Sequence, residues 1–221
     1  MSSTTLRILC EGPTEVNFVS QVLGPHLSGL SVFAKPEPLR KGYFGIVSFD
    51  KLRRAVKADI GRSRAHEYVT TMIDLYGLGD YPGVEPRGGE NARERVARIE
   101  REMAEELPSP RFLPYVQLHE FESLVLADVD RIPAEFPDGE ADHAPEQLRA
   151  SIGDIEPELV DDGHDSAPSK RIIAVVPAYA PLKAVAGPAI ARAIGLPALR
   201  LCCPHFGEWL ARLESLAEDG P

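Results

Sequence analysis

The sequence predicts an α/β protein in which a mostly parallel sheet is flanked by helices and followed by a helical C-terminal third. Leu6, Ile8 and Cys10 fall on one face of a predicted strand that ends at Glu11-Gly12-Pro13, after which helical spacing begins at once, as at the opening of an α/β unit. Residues 67–74 are a run of β-branched and apolar residues, typical of a strand buried on both faces of a parallel sheet. Residues 168–217 keep their apolar residues at helical spacing.

The first third of the chain continues the alternation of strands and helices. Pro13 stands where proline is favoured in the first turn of a helix, so we expect a helix directly after the first strand. Residues 31–39 predict a short second strand, and its two prolines place it at an edge of the sheet. A loop with glycines at 41–45 leads to a basic helix over about 48–64.

The middle of the chain supplies another loop, helix and strand. Residues 75–90 contain five glycines and two prolines, and a connection of this length usually carries a function. A strongly charged helix is predicted over 91–105, and a further strand over 111–118.

The last two segments differ in composition. The stretch 128–167 is acidic and poor in apolar residues, so we expect a peripheral insertion or a small helical excursion. Residues 168–217 are expected to form helices packed on the core. Because the chain shows no internal repeat and no low-complexity linker, we expect residues 1–221 to form a single domain.

Charge and cysteine content narrow the class of protein. The 221 residues include 34 Asp and Glu against 24 Lys and Arg, a net charge of −10 that excludes a protein with a wholly cationic surface. No apolar run approaches the roughly 20 residues needed to span a bilayer, and the N-terminus lacks a secretory pattern. Three cysteines form no disulfide framework, in keeping with a reducing compartment. We therefore expect a cytoplasmic protein with no membrane contact.

Carboxylates follow three of the predicted strands. They are Glu11, Asp74, and the pair Glu120 and Glu122. In an open α/β sheet the carboxyl ends of parallel strands meet in one crevice, so these acids should converge. Clustered carboxylates repel one another unless a cation neutralises them, and oxygen ligands of this kind suit Mg²⁺ or Mn²⁺. Such an ion supports hydrolysis of phosphate esters.

The acids lie in motifs that resemble a known family. The Glu-Gly-Pro-Thr-Glu run at 11–15, after a strand, is similar to the signature of Toprim domains, found in topoisomerases, primases and overcoming-lysogenization-defect nucleases. Through nearly its whole length the chain more closely resembles a bacterial Toprim-like family, the domain-of-unknown-function family 4276. The further motifs that carry this resemblance are Met72 to Gly77, His119 to Glu122, Pro168 to Arg171 and Cys203 to Phe206.

The resemblance implies a role for each matching acid. Glu11 would be the first Toprim acid, a metal ligand or general acid/base, and Asp74 the first acid of the Asp-x-Asp motif. The second acid of that motif is replaced by Tyr76, a departure that weighs against topoisomerase or primase activity. One of three acids would replace the missing ligand, and the sequence does not choose between them: Glu120, Glu122 or Asp80.

Cations near the start of the C-terminal third are candidates for phosphate binding. Ser169, Lys170 and Arg171 open a predicted helix, where free N–H groups and positive side chains suit a phosphate. Lys170 would stabilise charge developing on the phosphate. The alternative is that the acidic stretch 161–165 pairs with these cations. Lys183 is a similar, weaker candidate.

Several other polar residues have simpler explanations. Glu15 fits the favourable electrostatics of a helix N-terminus, and His119 is either a phosphate contact or a cap. Cys202, Cys203 and His205 lack the spacing of a zinc site. The two charged helices offer either a local phosphate track or solvated faces; their cations are Lys51, Arg53, Arg54, Lys57, Arg62, Arg64, Arg93, Arg95, Arg98 and Arg101.

These observations favour a metal-dependent nuclease that hydrolyses phosphodiester bonds in DNA or RNA. The resemblance adds that such Toprim-like proteins accompany ATPases in bacterial anti-phage or mobile-element systems, so an ATPase partner is expected; the chain itself has no phosphate-binding loop of the Gly-x-x-x-x-Gly-Lys type. One alternative is a non-catalytic Toprim-like binding or regulatory subunit. Another is a hydrolase of small phosphate esters or nucleotides.

Overall fold

A computed structural model describes residues 4–39, 45–62, 66–160, 163 and 166–217, and it has the mixed α/β architecture that the sequence predicts. Within these residues the strands are β1 (Thr4–Cys10), β2 (Val32–Pro38), β3 (Glu67–Asp74), β4 (Phe112–Leu113) and β5 (Val116–Gln117). The α-helices are α1 (Pro13–Phe18), α2 (Gly24–Ser28), α3 (Phe49–Arg62), α4 (Ala92–Glu106), α5 (Glu122–Val125), α6 (Ala144–Ile152), α7 (Pro168–Val175), α8 (Tyr179–Ile194), α9 (Leu196–Cys202) and α10 (Pro204–Ser215).

Short irregular helical segments complete the architecture. A π-helical segment, Val19–Leu23, joins α1 to α2, and 3₁₀ turns lie at Leu126–Arg131, Pro133–Glu135 and Pro157–Leu159. The glycine loop predicted at 41–45 falls mostly outside the described residues.

The sheet is parallel throughout its described part. Its strand order is β2-β1-β3-β4, and β5 also pairs with β3. The predictions of a central β3 and of β2 at an edge are confirmed. All carboxyl ends therefore leave the sheet on one side, which Rossmann-like folds use for ligands.

The strand predicted over 111–118 is interrupted, and the expectation of one continuous strand is wrong. Pro114 follows β4, and its missing N–H removes a donor from the ladder. At the break the Thr71 hydroxyl replaces the backbone, donating to the Tyr115 carbonyl (2.7 Å) and accepting the Tyr115 N–H (2.9 Å). The short β5 then resumes pairing at the end of β3.

Two hydrophobic clusters lie on opposite faces of the sheet. Leu6 and Ile8 of β1 belong to the larger one, together with α1, α8 and α10, whereas Leu9 belongs to the cluster under α3 and α4. Met72 and Ile73 divide between the two in the same way. Burial on both faces of β1 and β3 explains why their sequences are so apolar.

The stretch 128–167, expected as an acidic peripheral insertion, consists of short helices in its described part. Val129, Ile132, Leu148 and Val160 are buried in the larger cluster, whereas Ile155 and Leu159 are exposed. The segment thus shields that face of the core, and one of its acids, Glu158, is itself fully buried.

The described helices include none that is both long and apolar enough to cross a membrane alone. The pair α7 and α8 reaches that length and composition together, but the two are bent by 113° relative to each other.

Candidate functional site

The ends of β1 and β3 bring Glu11 and Asp74 together. The strands are parallel neighbours with Cys10 paired to Met72, so the following residues leave the sheet at the same edge. The Glu11 N–H donates to the Met72 carbonyl (3.2 Å), and Glu11 Oε2 accepts the Asp74 N–H (3.2 Å). Two acids 63 residues apart in the chain therefore meet, as the parallel pairing predicts.

The segment after β5 brings two more acids to this edge. The His119 carbonyl accepts the Tyr76 N–H (3.1 Å), which ties the segment to the loop after β3. His119 itself has a φ of +59°, in the left-handed region that turns the chain from β5 into α5. Because α5 begins at Glu122, Glu120 lies in the turn before it, and the two carboxylates have different partners.

The partners separate the roles of Glu120 and Glu122. Glu122 is 3% exposed; its Oε1 accepts the Tyr179 hydroxyl (3.1 Å) and lies 3.2 Å from Lys183 Nζ. Glu120 Oε2 accepts the Ser169 N–H (3.0 Å). Glu122 is therefore the acid that forms the salt bridge with Lys183.

Glu15 completes what we call the acidic cluster (Glu11, Glu15, Asp74, Glu120 and Glu122). Its Oε2 accepts the Gly12 N–H (2.7 Å), which satisfies a free donor at the start of α1. A Cβ on residue 12 would lie 3.1 Å from that oxygen, so glycine leaves room for the carboxylate. Burial raises the pKa of Glu15 to about 7, opposed by backbone N–H donors and reinforced by the Glu11 carboxylate. Glu15 thus has the helix-end role that the sequence predicts.

Asp74 is the least compensated member of the acidic cluster. Its Oδ1 is buried and has no hydrogen-bond partner among the described residues. Burial raises the pKa of Asp74 well above its usual range, and nearby carboxylates raise it further; these are Glu15, Glu11, Glu122 and Glu120. An uncompensated buried carboxylate is costly, so it marks a position held for a ligand or for chemistry.

Lys183 supplies positive charge beside the acids. It extends from α8, which is tied to α1 by a hydrogen bond from Asn17 Nδ2 to the Ala184 carbonyl (2.7 Å). Burial lowers the pKa of Lys183, but the carboxylates of Glu122, Glu120 and Asp74 outweigh burial and raise it. Lys183 is therefore charged at neutral pH and lies within electrostatic reach of the acidic cluster.

The start of α7 differs from the phosphate cradle that the sequence suggests. The Ser169 N–H is already bonded to Glu120, and Ser169 is 3% exposed. Arg171 donates from Nε to the Ser166 carbonyl (2.7 Å) and from Nη1 to the Ser151 hydroxyl (2.6 Å), so it joins α7 to α6. Lys170 points to solvent. The expected pairing with 161–165 lies largely outside the described residues.

Two of the four arginines of α4 hold the loop at 75–90. Arg98 is 4% exposed and donates to Glu90, to the Glu85 carbonyl (3.0 Å) and to the Gly83 carbonyl. Arg95 donates twice to the Val84 carbonyl (3.0 and 2.7 Å). These side chains are structural, which removes them from the phosphate track considered from sequence.

Asp80, the third candidate for the missing acid, is also engaged. Its Oδ1 accepts the Phe49 N–H (3.0 Å) at the first residue of α3. The carboxylate therefore compensates the N-terminal end of a helix and is not an uncommitted ligand.

Sequence reasoning missed two tyrosines and a glycine. Tyr179 donates to Glu122, and Gly187 leaves it space, since a Cβ there would lie 2.9 Å from the Tyr179 hydroxyl. A glycine inside a helical pattern was the available signal. Tyr81 is 2% exposed and its hydroxyl has no hydrogen-bond partner in the described part of the chain. Burial raises the pKa of Tyr81, and so does the charge of Glu11, but nothing in the sequence marked this residue.

The donor chemistry of the acidic cluster suits a hard cation, although the described residues contain no preformed group of three or more His, Cys, Asp or Glu arranged to hold one. One oxygen each of Glu11 and Glu120 faces a backbone N–H. A carboxylate has a second oxygen with free lone pairs, and Asp74 Oδ1 has no hydrogen-bond partner among the residues that the structure describes. The residues present therefore fit Mg²⁺ or Mn²⁺ in ligand type.

The fold and this site define an α/β protein of Rossmann-like architecture with an acidic cluster at the carboxyl edge of its parallel sheet. A family model described as "Domain of unknown function (DUF4276)" matches residues 10–214, so the chain belongs to that family. No curated protein matches the chain significantly, and no solved structure does.

Proposed function

We propose that this protein is a divalent-cation-dependent nuclease that hydrolyses phosphodiester bonds of nucleic acid. The observation that carries the proposal is the buried, unpartnered Asp74 Oδ1 among four further carboxylates. Folding has gathered like charges at the ligand-binding edge of a parallel sheet, and a cation relieves the resulting repulsion. The resemblance of the Glu11 and Asp74 segments to Toprim motifs supports the same function.

Glu11, Asp74 and Glu120 would hold the Mg²⁺ or Mn²⁺. Glu11 and Glu120 would each bind the ion with the carboxylate oxygen that accepts no backbone N–H. Alternatively, the ion would replace the backbone N–H as the partner of the other oxygen. Glu122 is a poorer ligand, because Tyr179 and Lys183 already occupy its Oε1. The bound cation would polarise the phosphate and lower the pKa of water.

The protein's own side chains supply the remaining chemistry. In the hydrolysis, a water oxygen bonds to phosphorus, the phosphorus–oxygen bond to one sugar breaks, and the leaving oxygen takes a proton. Glu11 is the candidate acceptor for the proton of the attacking water, because the Toprim resemblance implies that this acid is a metal ligand or a general acid/base. Lys183, fixed by Glu122 and Tyr179, stabilises the charge that develops on the phosphate. Lys170, assigned that role from sequence, is exposed on α7 and better suited to a flanking phosphate.

The setting of the reaction is part of the proposal. Cys10, Cys202 and Cys203 are free thiols, which is compatible with a reducing cytoplasm. The Toprim-like resemblance favours a role in bacterial anti-phage defence or in mobile elements beside an ATPase. DNA and RNA are both candidate substrates.

The proposal is tested by cleavage of plasmid DNA and of a structured RNA with Mg²⁺, with Mn²⁺ and with a chelator. We expect Asp74→Asn and Glu11→Gln each to reduce cleavage at least about 10³-fold, comparable to the loss of a catalytic group. Glu208→Gln, which removes an exposed carboxylate from α10, is the matched control and should cleave normally. Cleavage that survives chelation, or survives both active-site substitutions, contradicts the proposal.

A non-catalytic binding or regulatory subunit is the second candidate. Two observations favour it: Tyr76 replaces the second acid of the motif, and Lys183 neutralises Glu122 without any ion. Nucleic-acid binding by the wild-type chain that is indifferent to Mg²⁺ and Mn²⁺, with no cleavage, would support this candidate.

A further inference from the structure

An exposed aromatic residue follows Asp74 closely in the chain. Tyr76 is 52% exposed, whereas Leu75 and Leu78 in the same loop are 4% and 7% exposed. Phe33, on the edge strand β2, is the other aromatic residue of the described chain with comparable exposure. A large ring left in water forgoes the free energy of burial, so its position calls for an explanation.

The backbone fixes Tyr76 close to the acids. Its N–H donates to the His119 carbonyl (3.1 Å), and the preceding Leu75 N–H donates to the Gln117 carbonyl (3.0 Å). Tyr76 is two residues from Asp74, so their Cα atoms are at most about 7 Å apart. The backbone of Tyr76 therefore lies at the same edge of the sheet as Asp74, the least compensated acid.

The loop that carries Tyr76 is held at many points. Buried Leu78, Tyr81 and Val84 anchor it to the cluster under α3 and α4. Arg95 and Arg98 of α4 bind its carbonyls. Since its neighbours pack inward while Tyr76 faces water, the exposure of the ring is built into the folded loop.

We propose that Tyr76 is a stacking platform for an unpaired nucleobase adjoining the phosphate held at the acidic cluster. This inference rests on the proposed function and names its substrate class: single-stranded or locally unpaired nucleic acid. A base in a duplex already stacks on its neighbours, whereas an unpaired base gains a partner in the ring. Stacking tolerates any base, because every base has a π-face. It also gives the residue at the second motif position a role other than metal binding.

Equilibrium binding isolates this interaction from catalysis. The wild-type parent protein is used with Ca²⁺, which binds the same kind of oxygen ligands, in place of the Mg²⁺ or Mn²⁺ that cleavage requires. It is titrated into fluorescently labelled single-stranded 12-nucleotide DNA and RNA, into the matching duplexes, and into a single strand with abasic positions through its centre. Under these conditions Tyr76→Ala should weaken single-strand binding about tenfold or more, the typical loss for one stacked base. Tyr76→Phe, which keeps the ring, should stay within about twofold. Phe33→Ala is the matched control for loss of an exposed aromatic and should bind as the parent does.

The abasic strand provides the second half of the test. The abasic strand should bind the parent protein as weakly as the intact strand binds Tyr76→Ala. Replacing Tyr76 with alanine should not weaken binding of the abasic strand any further. Single strands bound equally by the parent and by Tyr76→Ala overturn the platform while leaving the nuclease proposal intact. An equal loss for duplexes and single strands overturns the preference for unpaired bases. A parent that binds no nucleic acid defeats both proposals.

Discussion

Two buried groups of acids in this molecule have opposite surroundings. At the N-terminus of α10, Glu158 is 0% exposed and accepts the N–H groups of His205 (2.8 Å) and Phe206 (2.9 Å). Nearby, Glu100 accepts the Val116 N–H (2.8 Å) and pairs with His205 Nε2 (3.1 Å). We call Glu100, Glu158 and His205 the α10 cluster.

The acidic cluster at the sheet edge is compensated less completely. There, Asp74 Oδ1 has no described partner, and the charges nearest Asp74 are mostly other carboxylates. A buried acid stabilises a fold when hydrogen-bond donors contact its carboxylate, and it destabilises the fold when they do not. The α10 cluster therefore holds secondary-structure elements together. The acidic cluster persists although it destabilises the fold, as expected of a functional site.

The largest effect on stability should come from the α10 cluster. Glu158→Ala leaves the N–H groups of His205 and Phe206 unpaired and buried, so we expect a loss of about 3 kcal/mol in the free energy of unfolding. Urea denaturation at pH 7.5 measures it. Glu146→Ala, at an exposed position of α6, should change stability by less than about 0.5 kcal/mol. Equal losses for the two variants would remove the contrast between the clusters.

The next effect concerns Lys183 and separates its two roles. Lys183→Met alone leaves Glu122 charged and buried, which destabilises the fold; adding Glu122→Gln removes that charge. We expect the double variant to unfold within about 1 kcal/mol of wild type yet to lose roughly 100-fold in cleavage rate, because the phosphate loses its cation.

Melting curves and cleavage kinetics of the same preparations test this pair of outcomes. Lys170→Met, at the exposed start of α7, is the control and should lose less than about threefold in rate. Full activity in the stable double variant would show that a residue other than Lys183 supplies the positive charge that stabilises the phosphate.

A smaller effect of opposite sign is expected in the acidic cluster. Without divalent cations, the folded protein must keep Asp74 charged among like charges or hold a proton on it, and both are costly at pH 7.5. Asp74→Asn should therefore stabilise the chain by about 0.5–2 kcal/mol while abolishing cleavage. Chemical denaturation in chelator reads this directly, and a destabilised variant would show that Asp74 serves the fold.

The smallest effect is a pH dependence in the α10 cluster. Burial lowers the pKa of His205, but Glu100 and Glu158 outweigh it and raise that pKa above its ordinary 6.5. A raised folded-state pKa adds stability that is present in full below about pH 6.5 and is lost as pH rises through the folded value.

The stability advantage of wild type over His205→Asn should consequently be larger at pH 6 than at pH 9. Denaturation at both values compares the two proteins, and Glu146→Ala controls for general pH effects. An advantage that grows with pH would mean that His205 is neutral in the folded state.

The parts of this molecule that are local in sequence could be predicted. Strand β1 and the turn at Glu11-Gly12 follow from the spacing of apolar residues and its end at that turn. Helix α1 follows from the preference of proline for a first helical turn. The meeting of Glu11 with Asp74 follows from one further assumption, that adjacent βα units pair in parallel.

The parts that depend on distant packing could not. Nothing near Glu122 in sequence announces Lys183, 61 residues away on a helix packed across α1. From sequence, the arginines of α4 are expected to form a solvated or phosphate-binding face. Their carbonyl partners in the loop could not be predicted, because no sequence pattern encodes the path of that loop. The break at Pro114 was visible as a proline, but its repair by Thr71 depends on the register of β3.

Isothermal calorimetry of Mn²⁺ binding to wild type and to Asp74→Asn tests most directly whether the acidic cluster is a cation site. We predict saturable binding to wild type that disappears in Asp74→Asn and persists in Glu208→Gln. Absence of Mn²⁺ binding to wild type, or equal binding to Asp74→Asn, would contradict the account.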